Sequence, residues 1–303
     1  MSQHSTPALS WYESTARQRI EGLLDARSFV EFIGPEQRKM SPHLPMFDLP
    51  EAFDDGIVIG RGKLEGKEIF VAAQEGKFMG GAFGEVHGAK LLGLVQAAER
   101  HKRDLVICFD TGGVRLQEAN AGEVAIAEIM RAIVHARLAG VQVVGLLGGR
   151  AGCYGGGSLI AGCCSALVIS EHGRLSVSGP EVIETNHGVE EFDSKDRAFV
   201  WRTMGGKHRY LIGAVDGYAE DAIPAFRDAA ISALGAPTAL TLDTLRSEQT
   251  RLEQRLKRFG ALTDGTQVWK ALGIDDPQAI PSLPTDEFVA LANGVRENTH
   301  GAR

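Results

Sequence analysis

Three short runs in the middle of the chain, DLVICFD (104–110), VQVVGLL (141–147) and ALVIS (166–170), are apolar at almost every position, and segments of helical period separate them. A strand that is apolar on both faces has to be buried on both faces, so these runs predict a largely parallel sheet covered by helices, an α/β layout. The helices are expected from about Gly84 to Arg100 and from about Ala121 to Leu138, with a third beginning inside the glycine-rich stretch 148–165. Upstream, IVIGRGKL and KEIFVAAQ flank a two-residue EG turn and predict a β-hairpin. ARQRIEGLL places Ala16, Ile20, Leu23 and Leu24 on one face of an amphipathic entry helix. Residues 34–55, rich in Pro, Asp and Met, are read as an extended surface segment, and RLSVSG (174–179) as a short strand. Residues 186–218 combine a helix with loops, and a helix from about Ala219 to Leu234 closes the main domain. RSEQTRLEQRLKR (246–258) has helical period and enough charge to form an exposed or partner-binding arm. This divides the chain into an N-terminal extension (1–12), a main domain (13–235) and a helical, partly polar C-terminal extension (236–303).

In parallel α/β sheets ligands collect beyond the carboxyl ends of the strands. Two glycine-rich loops stand at such ends here: DTGGVRLQEANAGE after DLVICF, and GGRAGCYGGGS after VQVVGLL. Glycine lets a ligand atom approach a backbone amide closely, so two such loops can aim N–H groups at one oxygen. Gly155, Gly156 and Gly157 are expected in the first turn of the third helix, where amides have no intrahelical partner and the helix dipole is positive. The competing reading is that the glycines only let a helix pack tightly on a strand. No segment supplies the GxxxxGK[ST] of a phosphate-binding Walker loop, and GRGKLEG has one residue too many for GxGxxG. Ser158 lacks the final glycine of a GxSxG nucleophile elbow.

The length of 303 residues allows one large domain or two. A net charge of −7 argues against a broad surface for nucleic acid or an anionic membrane. The start, MSQHSTPALSWYE, has no charged region followed by an apolar core, and no run approaches the roughly 18 apolar residues of a membrane span; a cytoplasmic protein is expected. The four cysteines, Cys108, Cys153, Cys163 and Cys164, lie in or beside apolar runs and form no CxxC pair, so no metal site is expected.

Taken together, ARQRIEGLLDARSFVEF, DTGGVRLQE, the glycine stretch after VQVVGLLGG, and SVSGPEVIE resemble the carboxyltransferase family of biotin-dependent acyl-CoA carboxylases and decarboxylases over about residues 13 to 235. That resemblance implies a crotonase-like (ClpP/crotonase) fold, a spiral of ββα units forming an acyl-CoA carboxyltransferase-type domain. Within the family, FMGGAFGEVHGAKL, DTGGVRLQEANAGE and GCYGGGSLIAG are most similar to the β subunits of biotin-independent malonate decarboxylases. The absence of cysteine before Ala16 separates the chain from the zinc-ribbon β subunits of bacterial acetyl-CoA carboxylase.

The closer resemblance implies a lyase that works with a homologous γ subunit. The pair decarboxylates a malonyl group carried as a thioester on an acyl carrier protein (the δ subunit), which an α subunit, the carrier-protein transferase, also serves. The carrier's arm is a phosphoribosyl-dephospho-coenzyme A type group; no biotin and no directly bound cofactor are implied. Decarboxylation leaves an enolate, which preorganised N–H donors stabilise. Gly112, Gly113 and Val114 of the first loop and Gly155 and Gly156 of the second are the candidate donors. Tyr154, Glu118 and Gln117 are candidate proton sources, with a partner subunit as the alternative; for Glu118 an ion pair with Arg115 or a helix-start role competes, and for Tyr154 simple packing. Arg150, Gln117 and Gly157 are candidates for contacting the carrier arm or substrate, Arg150 as a bidentate fork for carboxylate or phosphate; a surface charge competes. His87 and His187 are acid, base or structural, and GPEVIE (179–184) is a pocket wall. Three rival functions share these loops: a biotin-linked acetyl- or propionyl-CoA carboxyltransferase, a noncatalytic carrier-docking subunit, and a crotonase-type hydratase or isomerase.

Overall fold

The structure is a computed structural model that describes residues 8–300. Among the described residues seven strands form one sheet in sequence order. Helix α1 (Ala16–Leu23) leads into β1 (Val30–Phe32), which pairs antiparallel with β2 (Ile57–Leu64), and β2 with β3 (Lys67–Gln74) through the expected hairpin. From β3 onward every pairing is parallel: α2 (Glu85–His101), β4 (Leu105–Phe109), α3 (Asn120–Leu138), β5 (Val143–Leu147), α4 (Gly155–Gly162), β6 (Ala166–Ser170), α5 (Pro180–His187), α6 (Arg197–Met204), α7 (Gly206–Leu211), β7 (Gly217–Ala219) and α8 (Ile223–Gly235) follow in turn.

The parallel strands are buried on both faces for the reason their sequences suggest. Along β4, Val106 and Cys108 point to a layer made with α1 and α8, where they meet Ile20, Leu23 and Phe226. Leu105, Ile107 and Phe109 point the other way, to Leu91, Ile129 and Ile133 of α2 and α3. Between strand and helix, each unit detours through a one-residue bridge: Phe83 pairs with Val114, Thr111 with Cys153, and Cys153 with Leu175, all parallel. These bridges form a small second layer at the carboxyl ends of the strands, so each repeat runs strand, bridge, helix. That is the crotonase-like spiral of ββα units. RLSVSG contributes to it by single bridges at Arg174 and Leu175 rather than by a strand, because each detour offers it one pairing partner at a time.

Other departures have equally local causes. β1 and β7, three residues each, are too short to show a period, and β7 claims Ala219 where a helix start was expected. The 34–55 segment is not purely superficial: Ser41, Leu44 and Asp55 are buried. The terminal extensions also join the core. Trp11 is fully buried and stacks on Phe226 with ring centroids 4.2 Å apart. Beyond α9 (Leu242–Phe259), α10 (Gly265–Ala271) buries Trp269, the 3-10 turn Ile280–Ser282 buries Ile280 and α11 (Thr285–His300) buries Phe288, all in the same cluster as the sheet. Among the described residues no helix is long and apolar enough to cross a membrane.

Trp11 should therefore behave as a core residue although it precedes the main domain drawn from sequence. Trp11→Ala is expected to lower unfolding free energy by about 3–5 kcal/mol, measured by denaturant titration; a loss below about 1 kcal/mol would show that the segment is only laid on the surface.

Candidate active site

At the carboxyl end of β4 the chain places a carboxylate, Asp110, in the interior. One of its oxygens accepts from Arg19 Nη1 of α1 at 2.9 Å, both side chains being buried, and the other from the amide of Ala151 at 2.7 Å. The Asp110 amide donates to Gln74 Oε1 at the end of β3. Gly149 is pressed against this carboxylate so closely that a Cβ there would stand 2.1 Å from Asp110 Cγ. The head of the glycine stretch is thus tied to β4 by charge and by contact. Arg19 lies on the apolar face of the entry helix, where no sequence period marks it as a ligand.

Gln74 connects this anchor to a second one. Its Nε2 donates to His87 Nε2 at 3.1 Å, while His87 Nδ1 lies 3.0 Å from the carbonyl of Asp55. The ring therefore carries its proton on Nδ1, and burial, reinforced by nearby Arg115, holds its pKa well below the ordinary histidine value. His87 is a neutral structural linker. Asp55 in turn takes both carboxylate oxygens to Arg115 Nη1 at 2.8 and 2.9 Å, and Arg115 reaches Glu118 at 3.0 Å. Glu118 also accepts from Ser41 Oγ at 2.8 Å and from the Glu85 amide, in the first turn of α2, at 2.6 Å.

The two carboxylates around Arg115 respond differently to burial. For Asp55 burial prevails over the guanidinium and raises the pKa. For Glu118 burial also pushes upward, but the Glu85 amide, the Ser41 hydroxyl and Arg115 together outweigh it and hold the group below the usual glutamate range. Glu118 is consequently ionised and occupied. Of its candidate roles, the structure shows the ion pair with Arg115 and the helix start, and gives it no proton to donate.

These anchors bring the two glycine loops into contact: a Cβ on Gly155 would lie 3.1 Å from Gly113 Cα. Gly113 has φ +127° and Gly155 φ +55°, conformations that other residues adopt at a cost. The amides of the candidate donors separate into two groups. Gly112 donates to the Gly80 carbonyl, Gly113 to Thr111 Oγ1, and Gly155 to the Val177 carbonyl, so these three are committed within the protein. For the amides of Val114, Gly156 and Gly157 no hydrogen-bond partner occurs among the described residues. Gly156 and Gly157 sit in the first turn of α4, as their sequence position suggests.

Tyr154 is the N-cap residue of α4, and its ring packs with Phe192, Val200 and Met204. Its hydroxyl is buried without a hydrogen-bond partner among the described residues, and burial raises its pKa above the ordinary tyrosine value. Gly179, at the head of α5, borders the Tyr154 ring, where GPEVIE was expected as a wall. Other candidates lie elsewhere. Arg150 pairs with Glu13 and covers the ring of Tyr12, which makes it a clamp on the N-terminal segment. Gln117 is exposed on the short 3-10 turn Leu116–Glu118. His187 is exposed, 3.7 Å from Glu191. Ser158 donates to the Gly155 carbonyl at 2.7 Å, a local helix bond that gives it no activating base. Among the described residues no group of three His, Cys, Asp or Glu side chains is placed to hold a metal. The residues missed by sequence reading, Arg19, Ser41, Asp55, Gln74 and Asp110, are polar groups whose partners are remote in the chain.

The depressed pKa of Glu118 has a definite sign in stability. Its contribution is fully present above the unfolded-state value near 4.5 and is lost as pH falls through the lower folded-state value. Glu118→Gln should cost on the order of 3 kcal/mol at pH 7, as removal of one partner from a buried pair does. The difference from the native chain, followed by denaturant unfolding between pH 7 and pH 3, should shrink below pH 4.5; a pH-independent difference would rule out the ionised, paired carboxylate.

Comparison with known proteins identifies the family. Residues 12–227 match the model of the carboxyl transferase domain family. The malonyl-S-ACP:biotin-protein carboxyltransferase of Malonomonas rubra is 39% identical over 309 residues, covering 95% of this chain and 96% of the relative. A subunit of a Pseudomonas malonate decarboxylase hetero-tetramer, solved in complex with malonate, superposes with a TM-score of 0.79 at 37% identity, covering 87% of this chain and 97% of that one. The propionyl-CoA carboxylase β chain of Saccharopolyspora erythraea is 31% identical, and the match spans 65% of this chain but only 36% of that relative. The chain belongs to the carboxyl transferase domain family, in the group that includes malonate decarboxylase subunits.

Proposed function

We propose that this chain is the β subunit of a malonate decarboxylase, a carboxy-lyase that converts malonyl-S-acyl carrier protein to acetyl-S-acyl carrier protein and carbon dioxide. The observation that carries the reading is the set of three amides, Val114, Gly156 and Gly157, that lack partners among the described residues on two loops in contact. In the reaction the bond between the α-carbon and the carboxylate breaks, carbon dioxide leaves, and the electron pair moves onto the thioester oxygen as an enolate. Val114 from one loop and Gly156 from the other donate to that oxygen, with the α4 dipole adding to the stabilisation. Gly157 is the reserve donor.

A proton must then reach the α-carbon. Within the chain, Tyr154 immediately precedes the α4 amides and keeps its proton at neutral pH. We assign it that role, with Glu118 excluded by its pairing. The substrate arrives on a phosphoribosyl-dephospho-coenzyme A type arm of the carrier protein (δ), delivered with the help of the α subunit, and the homologous γ subunit completes the site. Support for a partner subunit comes from the solved relatives, which are a hetero-tetramer and a hetero-dimer of Pseudomonas malonate decarboxylase. The Malonomonas rubra relative favours a second reading, in which a biotin protein takes the carboxyl group. Both readings share the enolate and differ in the fate of the carboxyl group.

Two experiments test the proposal. In the complex copurified with its neighbouring subunits, malonyl-S-carrier should yield acetyl-S-carrier and carbon dioxide with no biotin protein present; strict dependence on a biotin protein replaces the proposal with the transfer reading. Gly156→Pro removes one amide hydrogen in the first turn of α4, and Gly156→Ala keeps it; both put a Cβ against Ile126, 2.6 Å from Cγ1, so the two are compared with each other. The proline variant should lose about 10²–10³ in kcat relative to the alanine variant, and equal rates would remove Gly156 from the oxyanion hole. For Tyr154→Phe, kcat should fall while unfolding free energy holds or rises, since a buried unpaired hydroxyl is unfavourable. Unchanged kcat would leave the tyrosine with packing alone.

A further inference from the structure

Helix α9 stands apart from the rest of the fold. Of its 18 residues only Phe259 is buried, and its links to the body are a few guanidinium bonds: Arg251 to the Gly213 carbonyl, Arg255 to that of Ile212, and Arg258 to that of Ala271. A helix this loosely attached is expected to be polar all round, yet Leu242, Leu245, Leu252 and Leu256 are all exposed, Leu242 at 70% and Leu256 at 72%. Together with Gln249 and Phe259 they fall at alternating intervals of three and four residues, 242, 245, 249, 252, 256 and 259. This is the a/d repeat of a helix that pairs with another helix.

The charges beside the stripe select the partner. At the flanking e and g positions stand Arg246 and Glu253, and Glu248 and Arg255. If two copies of α9 lie antiparallel with Leu245 opposite Leu256 and Gln249 opposite Leu252, then Arg246 of each faces Glu253 of the other, twice by symmetry, while Glu248, paired with Arg251, and Arg255, bound to the Ile212 carbonyl, stay on the side that holds the body. A parallel pair would bring Arg246 and Glu253 of the two copies nowhere near each other. Arg246 and Glu253 are exposed and among the described residues make only intrahelical contacts, Arg246 with Asp243 at 3.5 Å and Glu253 with Gln249 at 2.8 Å, so both are available to re-pair.

We propose that α9 is a self-association surface, which pairs antiparallel with α9 of a second copy of this chain. Two 18-residue helices bury an area at the small end for stable association, so the dimer should be concentration-dependent and weakened by salt, which screens exposed pairs.

Sedimentation velocity of the purified full chain over a concentration series tests this. The native chain should shift from monomer to dimer, and Leu252→Glu should stay monomeric with an unchanged circular dichroism spectrum. Arg246→Glu should weaken dimerisation at least tenfold, because it sets a carboxylate against the carboxylate of Glu253 across the interface. The exchange Arg246→Glu with Glu253→Arg should restore it. A monomer at every concentration, a dimer indifferent to Leu252→Glu, or an exchange that fails to restore pairing each overturns the proposal. So does a stripe that binds a different subunit, seen as a monomer alone and loss of that subunit's binding in Leu252→Glu.

Discussion

The rest of the site depends on Asp110, a carboxylate buried at the point where β4 gives way to the first glycine loop. A lone buried carboxylate is expensive, and this one is matched by a buried guanidinium, Arg19, and by an amide of the second loop, Ala151. Those contacts do more than neutralise a charge. They fix the relative positions of the entry helix, β4 and the glycine stretch, and through Gln74 they connect to His87, Asp55, Arg115 and Glu118. The whole chain of side chains lies beneath the loops and holds two runs of backbone in contact at Gly113 and Gly155.

Such an arrangement uses charged residues as scaffold and leaves the chemistry to peptide groups. Glu118 is a candidate proton source in the motif DTGGVRLQE, but it and Arg115 are already paired inside the protein. What remains to meet a developing negative charge is a small set of N–H groups. Backbone donors suit this purpose because they are positioned before the reaction and need no reorganisation during it. Glycine at Gly155 and Gly157 serves the same end: a Cβ on Gly157 would stand 2.3 Å from the Thr111 side chain, so any other residue there would force the two loops apart.

The periphery follows a different logic. Both terminal segments drawn as extensions contribute core residues, Trp11 at one end and Trp269 and Phe288 at the other. Helix α9 keeps a leucine stripe in water while holding the body with guanidinium bonds to carbonyls. The parallel strands bury both faces within this chain, whereas α9 keeps a leucine face in water.

How much of this the residues announce depends on the range of the interaction involved. The two-sided apolar runs at 104–110, 141–147 and 166–170 call for strands covered on both faces, and the helical period between them supplies the crossovers that make the sheet parallel. The helix start at Gly155 and the placing of glycine loops at strand ends are local too, and were legible. Which amides are open was not, since Gly80, Thr111 and Val177 accept from Gly112, Gly113 and Gly155 only once the small bridging layer has formed. Nor did the 34–55 segment show that Ser41 and Asp55 would be buried beneath the first loop. Local sequence dictates secondary structure because its hydrogen bonds and faces are set by near neighbours. The tertiary fold alone decided which polar groups are used up and which stay free, because that depends on partners brought together from distant parts of the chain.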